Sequence, residues 1–239
     1  MEEKQKKFEY KCKSYFKEKG EHIIVYDGIV DSETYEKTQP KILVLLKEAN
    51  HKNAQESWHL TTFLSKGARN QTNDPTWDNV ARFVERVLAT DENINWEDLK
   101  GDNQNRRKEY LKKICAINVK KVPGGSSADE NEIKNVTKRD AELLREQIDL
   151  CNPNLIICGC GGKGKKTAKF VCVTLFGNCI KWEKTNNEIE YFFDEDKKRI
   201  IIPYIHPAAD SYGKITMKNL VEPLVNATKE IMKKYRNIF

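Results

Sequence analysis

Four short apolar runs stand out from an otherwise polar chain: ILVLL at 42–46, ICAINV at 114–119, LIIC at 155–158 and IIIPYI at 200–205. They lack the alternation of a half-exposed strand, which predicts strands buried on both faces of a parallel sheet. The stretches between them carry apolar residues at helical spacing. Val80, Phe83, Val84, Val87 and Leu88 predict a helix over about 77–88, with Trp77 in the core, and further helices are expected at about 103–113, 138–150 (begun by Thr137), 165–175 and 218–234. Phe8, Cys12, Tyr15 and Phe16 give 1–19 one apolar stripe, the mark of a peripheral helix. A short strand at 23–26 ends at the Asp27-Gly28 turn, and 179–202 reads as a β-ribbon turned at Asn186-Asn187.

Buried strands alternating with helices predict one α/β domain over 1–239. Its expected form is a three-layer, doubly wound structure with a central, mostly parallel four-stranded sheet flanked by helices. With right-handed crossovers, the carboxyl ends of the four strands fall along one edge, where open α/β sheets place their chemistry. Those ends present Lys47, Glu48, Asn50 and His51; Asn118; the glycine-rich GCGGKG at 159–164; and His206.

Composition narrows the class. No apolar run approaches the roughly 20 residues that cross a bilayer and the N-terminus has no apolar leader, so a soluble, cytoplasmic monomer without membrane contact is expected. The formal charge is +6, but 36 acidic residues accompany 42 basic ones, so a nucleic-acid surface would have to be a local patch. Arg106, Arg107, Lys108, Lys112 and Lys113 on the 103–113 helix are one candidate, while Arg82 and Arg86 would meet either phosphate or solvent. The seven cysteines form no CxxC and several sit in apolar runs, which suits reduced thiols and implies no metal.

The chemistry is bounded by what is missing. There is no GxSxG turn, no HExxH and no aspartate cluster for paired magnesium ions. GCGGKG departs from the Walker pattern, and its glycines read more simply as allowing the backbone to pass close by the strand end. What remains is a carboxylate, one or two amides and an imidazole around a pocket that needs no cofactor. That set suits cleavage through a sugar oxocarbenium: the carboxylate orients water and offsets the cation, and the imidazole bonds the departing anion. Asn118 can pair with the edge of a base, while Trp58, His51 and His59 would line the pocket and stack on it. Each has a plainer reading: Glu48 as a solvated loop residue, Asn118 as a backbone tether, His206 as a core histidine, and the aromatic group as a satellite cluster.

The ordered set LKEAN, INVKK, PNLIICG and IHPAADSYG, each at or after a predicted strand, resembles the uracil-DNA glycosylase superfamily from about Tyr26 to the C-terminus. The resemblance implies that fold and a DNA glycosylase that hydrolyses the N-glycosidic bond of a flipped-out base. It puts the water-positioning residue on Glu48 or Asn50, the base-reading asparagine on Asn118 and the leaving-group histidine on His206. DNA would then meet Lys47, Lys120, Lys121, Ser126, Ser127, Lys163, Ala208, Ala209, Ser211 and Tyr212, with Tyr212 as a wedge. The first motif lacks its usual glycine and proline, and His-Pro-Ala stands for His-Pro-Ser. These departures point from uracil toward a modified pyrimidine, including modified cytosine in phage DNA. A non-catalytic nucleic-acid-binding module and a nucleotide enzyme using 159–164 are the alternatives.

Overall fold

The computed structural model describes residues 2–68, 74–89, 94–125, 127–162, 165–177, 180–209 and 216–238. In chain order the elements are α1 (Glu2–Glu18), β1 (Val25–Tyr26), β2 (Gly28–Ile29), α2 (Ser32–Lys37), β3 (Ile42–Leu46), β4 (Trp58–His59), α3 (Leu60–Ser65) and α4 (Pro75–Leu88). Then come α5 (Trp96–Lys100), α6 (Asn103–Tyr110), β5 (Ile114–Asn118), α7 (Glu130–Arg139), α8 (Ala141–Cys151), β6 (Leu155–Gly161) and α9 (Lys166–Phe176). The chain closes with β7 (Glu183–Lys184), β8 (Glu190–Asp194), β9 (Arg199–Ile205) and α10 (Met217–Lys234). No helix among the described residues is long and apolar enough to cross a membrane.

The four apolar runs do form parallel neighbours, in the order β5-β3-β6-β9. Every residue of β3, β5, β6 and β9 is buried, as their unbroken apolar character requires. The sheet is nevertheless wider than the four strands expected. Antiparallel β2 extends it beyond β5, and antiparallel β8 and β7 extend it beyond β9, giving seven strands among the described residues. Two-residue strands such as β2 and β7 carry too short a pattern to be read from sequence.

Side chains alternate between two cores. Ile42, Val44 and Leu46 face a cluster built with α3, α4 and α10, while Leu43 and Leu45 face one built with α7, α8 and α9. On the outside, α1 lays Phe8, Cys12 and Phe16 against Leu143 of α8, the stripe its spacing predicts. The expected 138–150 helix is really two. Asp129 caps α7 through the Asn131 and Glu132 amides, α7 ends at Arg139, and α8 starts after Asp140; Thr137 is interior to α7 and bonds back to the Ile133 carbonyl.

The basic patch expected on α6 is also corrected. Arg106 and Arg107 point inward: Arg107 pairs with buried Asp78 and donates to the Gly67 carbonyl at 2.9 Å, and Arg106 pairs with Glu85 and bonds the carbonyls of Asp98, Leu99 and Gly101. Arg82 is buried as well, bonding Leu99, Asn79 and Asn103. These guanidiniums tie α4, α5 and α6 together by occupying carbonyls at helix ends, work that a formal charge count cannot distinguish from a phosphate surface.

At the other side of the sheet, buried Asp27 receives Lys121, the Gln147 amide at 2.9 Å and the Asn118 backbone N–H at 2.7 Å. Removing one member of a buried ion pair typically costs about 3–5 kcal/mol. Lys121→Met should therefore lower the unfolding free energy by that order in urea, and the Asp27→Asn/Lys121→Met double variant should lose less. Equal midpoints for Lys121→Met and wild type would refute the role of the pair.

Candidate functional site

The edge formed by the carboxyl ends of β5, β3, β6 and β9 brings distant parts of the sequence together. Pairing between β3 and β5 continues past their ends: the Val119, Lys120 and Gly124 amides donate to the carbonyls of Leu46 (2.8 Å), Lys47 (2.9 Å) and Ala49 (2.9 Å), and the His51 amide donates to Gly124 (3.0 Å). Segments 47–51 and 119–124 therefore lie side by side, with a bridge between Asn50 and Gly124. The close approach needs a residue without a Cβ at 124, since a Cβ there would fall on the Glu48 carboxyl group.

Glu48 is not the solvated loop residue of the plainer reading. Its side chain is only 5% exposed and its Oε2 lies 2.7 Å from Lys120 Nζ, which in turn is 2.8 Å from Glu132 Oε1 on α7. Burial works against the charge on Lys120, but hydrogen bonds to Glu132 and Glu48 outweigh it and hold the ammonium above its ordinary pKa. Lys120 is thus committed to carboxylates and Lys121 is interior, so neither is the free phosphate contact expected from INVKK. Both lysines look alike in sequence; only the carboxylates of Glu48, Glu132 and Asp27 around them separate their roles.

His206 lies on the far side of β6 from Glu48. Two strand spacings, roughly 9–10 Å, separate β3 from β9. Its amide donates to Gly161 (2.8 Å), and its Nδ1 accepts from the Ala208 amide at 3.1 Å, which leaves Nε2 to carry the proton of the neutral ring. Burial first, and then the charge of Lys47, push the imidazole down to about 4. Glycine at 159 lets Pro207 close toward β3, because a Cβ there would sit 3.1 Å from both Leu46 Cδ2 and Pro207 Cδ. At 161 a Cβ would run into the Tyr204 carbonyl. The steric reading of GCGGKG therefore holds at both positions.

Asn118 is 2% exposed, and its side-chain Nδ2 has no hydrogen-bond partner among the described residues. Its backbone is held by Asp27, so the side chain is fixed in place yet leaves a buried donor unused. The indole Nε1 of Trp58 is a second such donor. Trp58 packs edge-on to His51 (5.7 Å) and Phe63 (6.1 Å) and shares a core cluster with Leu46 and Ala49. His59 points the other way, stacked on Tyr26 at 4.8 Å beside Glu9 of α1, and so leaves the base-binding group. Strand alternation explains the split, since successive residues of β4 face opposite sides.

Asn50, His51 and Ser127 are exposed, Ala208 and Ala209 are half-buried, and Ser126, Lys163, Ser211 and Tyr212 lie outside the described residues. Sequence reasoning missed Asn79 and Arg82, which support the His206-Pro207 turn: Asn79 Nδ2 donates to the Pro207 carbonyl at 2.8 Å and its Oδ1 accepts from Arg82 at 2.8 Å. Nothing in a helical amphipathic pattern signals a side chain reserved for a loop 128 residues away. Beneath this turn a cavity of about 30 Å³, lined by Val44, Val80, Phe83, Tyr204 and Leu220, has room for about one water. Among the described residues no three His, Cys, Asp or Glu side chains converge as a metal-ligand set.

Chemically, the edge offers a carboxylate, a neutral imidazole donor, an unpaired amide donor and an ammonium. In the unfolded chain a histidine takes its proton near pH 6.5, whereas folded His206 takes it near 4, so the unfolded state binds more protons between these values. Stability should consequently fall as pH is lowered through that window. An NMR titration of the imidazole should show a midpoint near 4 that rises in Lys47→Met; a midpoint near 6.5 in the native protein would contradict the enclosed environment. Neither a protein-family model nor a curated protein matches this chain.

Proposed function

We propose that this chain is a DNA glycosylase that hydrolyses the N-glycosidic bond of a flipped-out pyrimidine, with a modified pyrimidine favoured over uracil. The observation that carries the reading is the buried, unpaired Asn118 amide at an edge that also holds Glu48 and His206. An orphaned buried donor costs about 1–3 kcal/mol. A ligand acceptor such as a base carbonyl would recover that cost, and a base is the ligand whose edge an amide reads. The order of motifs and the parallel sheet flanked by helices support a uracil-DNA glycosylase-like arrangement.

In this reading Glu48, kept in place by Lys120, offsets the developing oxocarbenium and orients water, with Asn50 as the neighbouring alternative for the water. The neutral His206 donates through Nε2 to the oxygen of the departing base, where negative charge collects, and Asn118 selects the base. The departures from the usual motifs are what suggest a modified base and, with it, a role against phage DNA. A second reading, a DNA-binding module without base release, is favoured by one feature: the Glu48 carboxylate is already engaged by Lys120.

The test is incubation with duplex and single-stranded DNAs containing uracil or modified cytosines, scored by mass of the released base and by alkali-labile strands. Base release is expected from at least one substrate, falling roughly a hundredfold or more in Glu48→Gln, His206→Ala and Asn118→Ala. DNA binding without release from any substrate would select the second reading.

A further inference from the structure

We propose that Lys47 is an amine nucleophile that forms an imine with the abasic sugar, adding strand cleavage to base release. The inference rests on the glycosylase reading for the origin of that sugar, but it concerns a different residue and a different bond.

Three lysines reach the carboxyl edge of the sheet at the ends of β3 and β5, and two are committed. Lys120 lies between Glu48 and Glu132, and Lys121 is buried against Asp27 and Gln147. Lys47 is half-buried directly after β3, and its side-chain amine has no carboxylate or hydrogen-bond partner among the described residues. Its position is central. Its carbonyl accepts from the Lys120 amide, Leu46 beside it meets Gly159 and Pro207, and its charge is felt by both His206 and Cys160. With its neighbours Lys120 and Lys121 held in ion pairs, the Lys47 amine is the one at these two strand ends left for a ligand among the described residues. A lysine amine so placed can act as a nucleophile toward carbonyl carbon.

The substrate class is an aldehyde. Loss of a base leaves a sugar that opens to a C1′ aldehyde. The Lys47 amine, in its unprotonated form, adds to that carbon, and water leaves to give an iminium. The iminium acidifies C2′, whose proton passes to water; the released electron pair forms the C2′=C3′ bond and expels the 3′ phosphate. Hydrolysis then returns the amine and an unsaturated aldehyde, so atoms and charge balance without any added oxidant or metal.

A rival amine exists in Lys165, whose pKa is lowered by burial and whose Nζ sits 5.2 Å from the centre of the Tyr204 ring. Lys165 stands at the start of α9, just past the end of β6 and beside Gly161, so it flanks the edge from the His206 side, whereas Lys47 follows β3. Its variant separates the two amines.

The experiment uses the full chain and a duplex carrying one preformed abasic site, made without this protein, in the presence of sodium borohydride. A covalent protein–DNA adduct is expected, mapping by peptide mass to Lys47. It should fall at least tenfold in Lys47→Arg and Lys47→Met and persist in Lys165→Arg. Circular dichroism of the two Lys47 variants checks that they fold, and Arg keeps the charge while removing the nucleophile. No adduct, an adduct undiminished in folded Lys47→Arg, or mapping to another residue would overturn the proposal. Because the abasic site is supplied, trapping without base release would support the lyase step while refuting the glycosylase, and base release without trapping would do the reverse.

Discussion

A buried carboxylate, that of Asp27, holds the end of the sheet that matters most. Antiparallel β2 begins only at Gly28, opposite Ala116, while β5 runs on to Asn118, so the Asn118 N–H has no strand partner on that side. An unpaired buried amide is costly, and Asp27 Oδ2 fills the vacant ladder position at 2.7 Å. The charge so buried is balanced by Lys121 and by the amide of Gln147 from α8. Lys121 also accepts the Val25 amide on its carbonyl, and Val25 pairs with Trp58. Two core layers, the β5 terminus and the small β1–β4 pair are thereby tied to one point, which sets where Asn118 and Trp58 stand.

The same principle separates scaffold from site elsewhere. Arg82, Arg106 and Arg107 are charged and buried, yet each is matched with carbonyls, amides or carboxylates from neighbouring helices. They stabilise the packing of α4, α5 and α6 and leave no donor aimed at a ligand through the bonds described. At the carboxyl edge the accounting changes. Among the described residues Asn118 Nδ2 and Trp58 Nε1 are buried donors without acceptors, the Lys47 amine has no counter-ion, and His206 is kept neutral with its Nε2 proton to donate. Buried donors left unused beside a carboxylate and a neutral imidazole give this edge the means to meet something else.

How much of this could be read from the chain depended on whether the signal was local. ILVLL, LIIC and IIIPYI announced central strands because burial on both faces erases alternation, and the stripe of α1 announced a peripheral helix because its period is 3.6. The break at Asp140 was missed because the apolar pattern runs on through it from α7 into α8. Glu48, Asn118 and His206 were legible as candidates, being polar groups placed just at or after apolar strands. Asp27, Asn79, Gly124 and Glu132 were not, since each acts on a partner far along the chain.

The amino-acid sequence by itself determined which segments form the four central strands and most of the longer helices, that those strands run parallel, and which polar groups end them, because those properties follow from side-chain periodicity and short-range geometry. Only the tertiary structure decided that Lys120 and Lys121 are committed to carboxylates while Lys47 is not, that His59 faces away from Trp58, and that Glu48 turns toward β5 with β6 between it and His206. The physical reason is that a charge or a hydrogen-bond donor has no fixed role of its own. Its role is set by what is brought within about 3 Å of it, and that is a property of the folded chain.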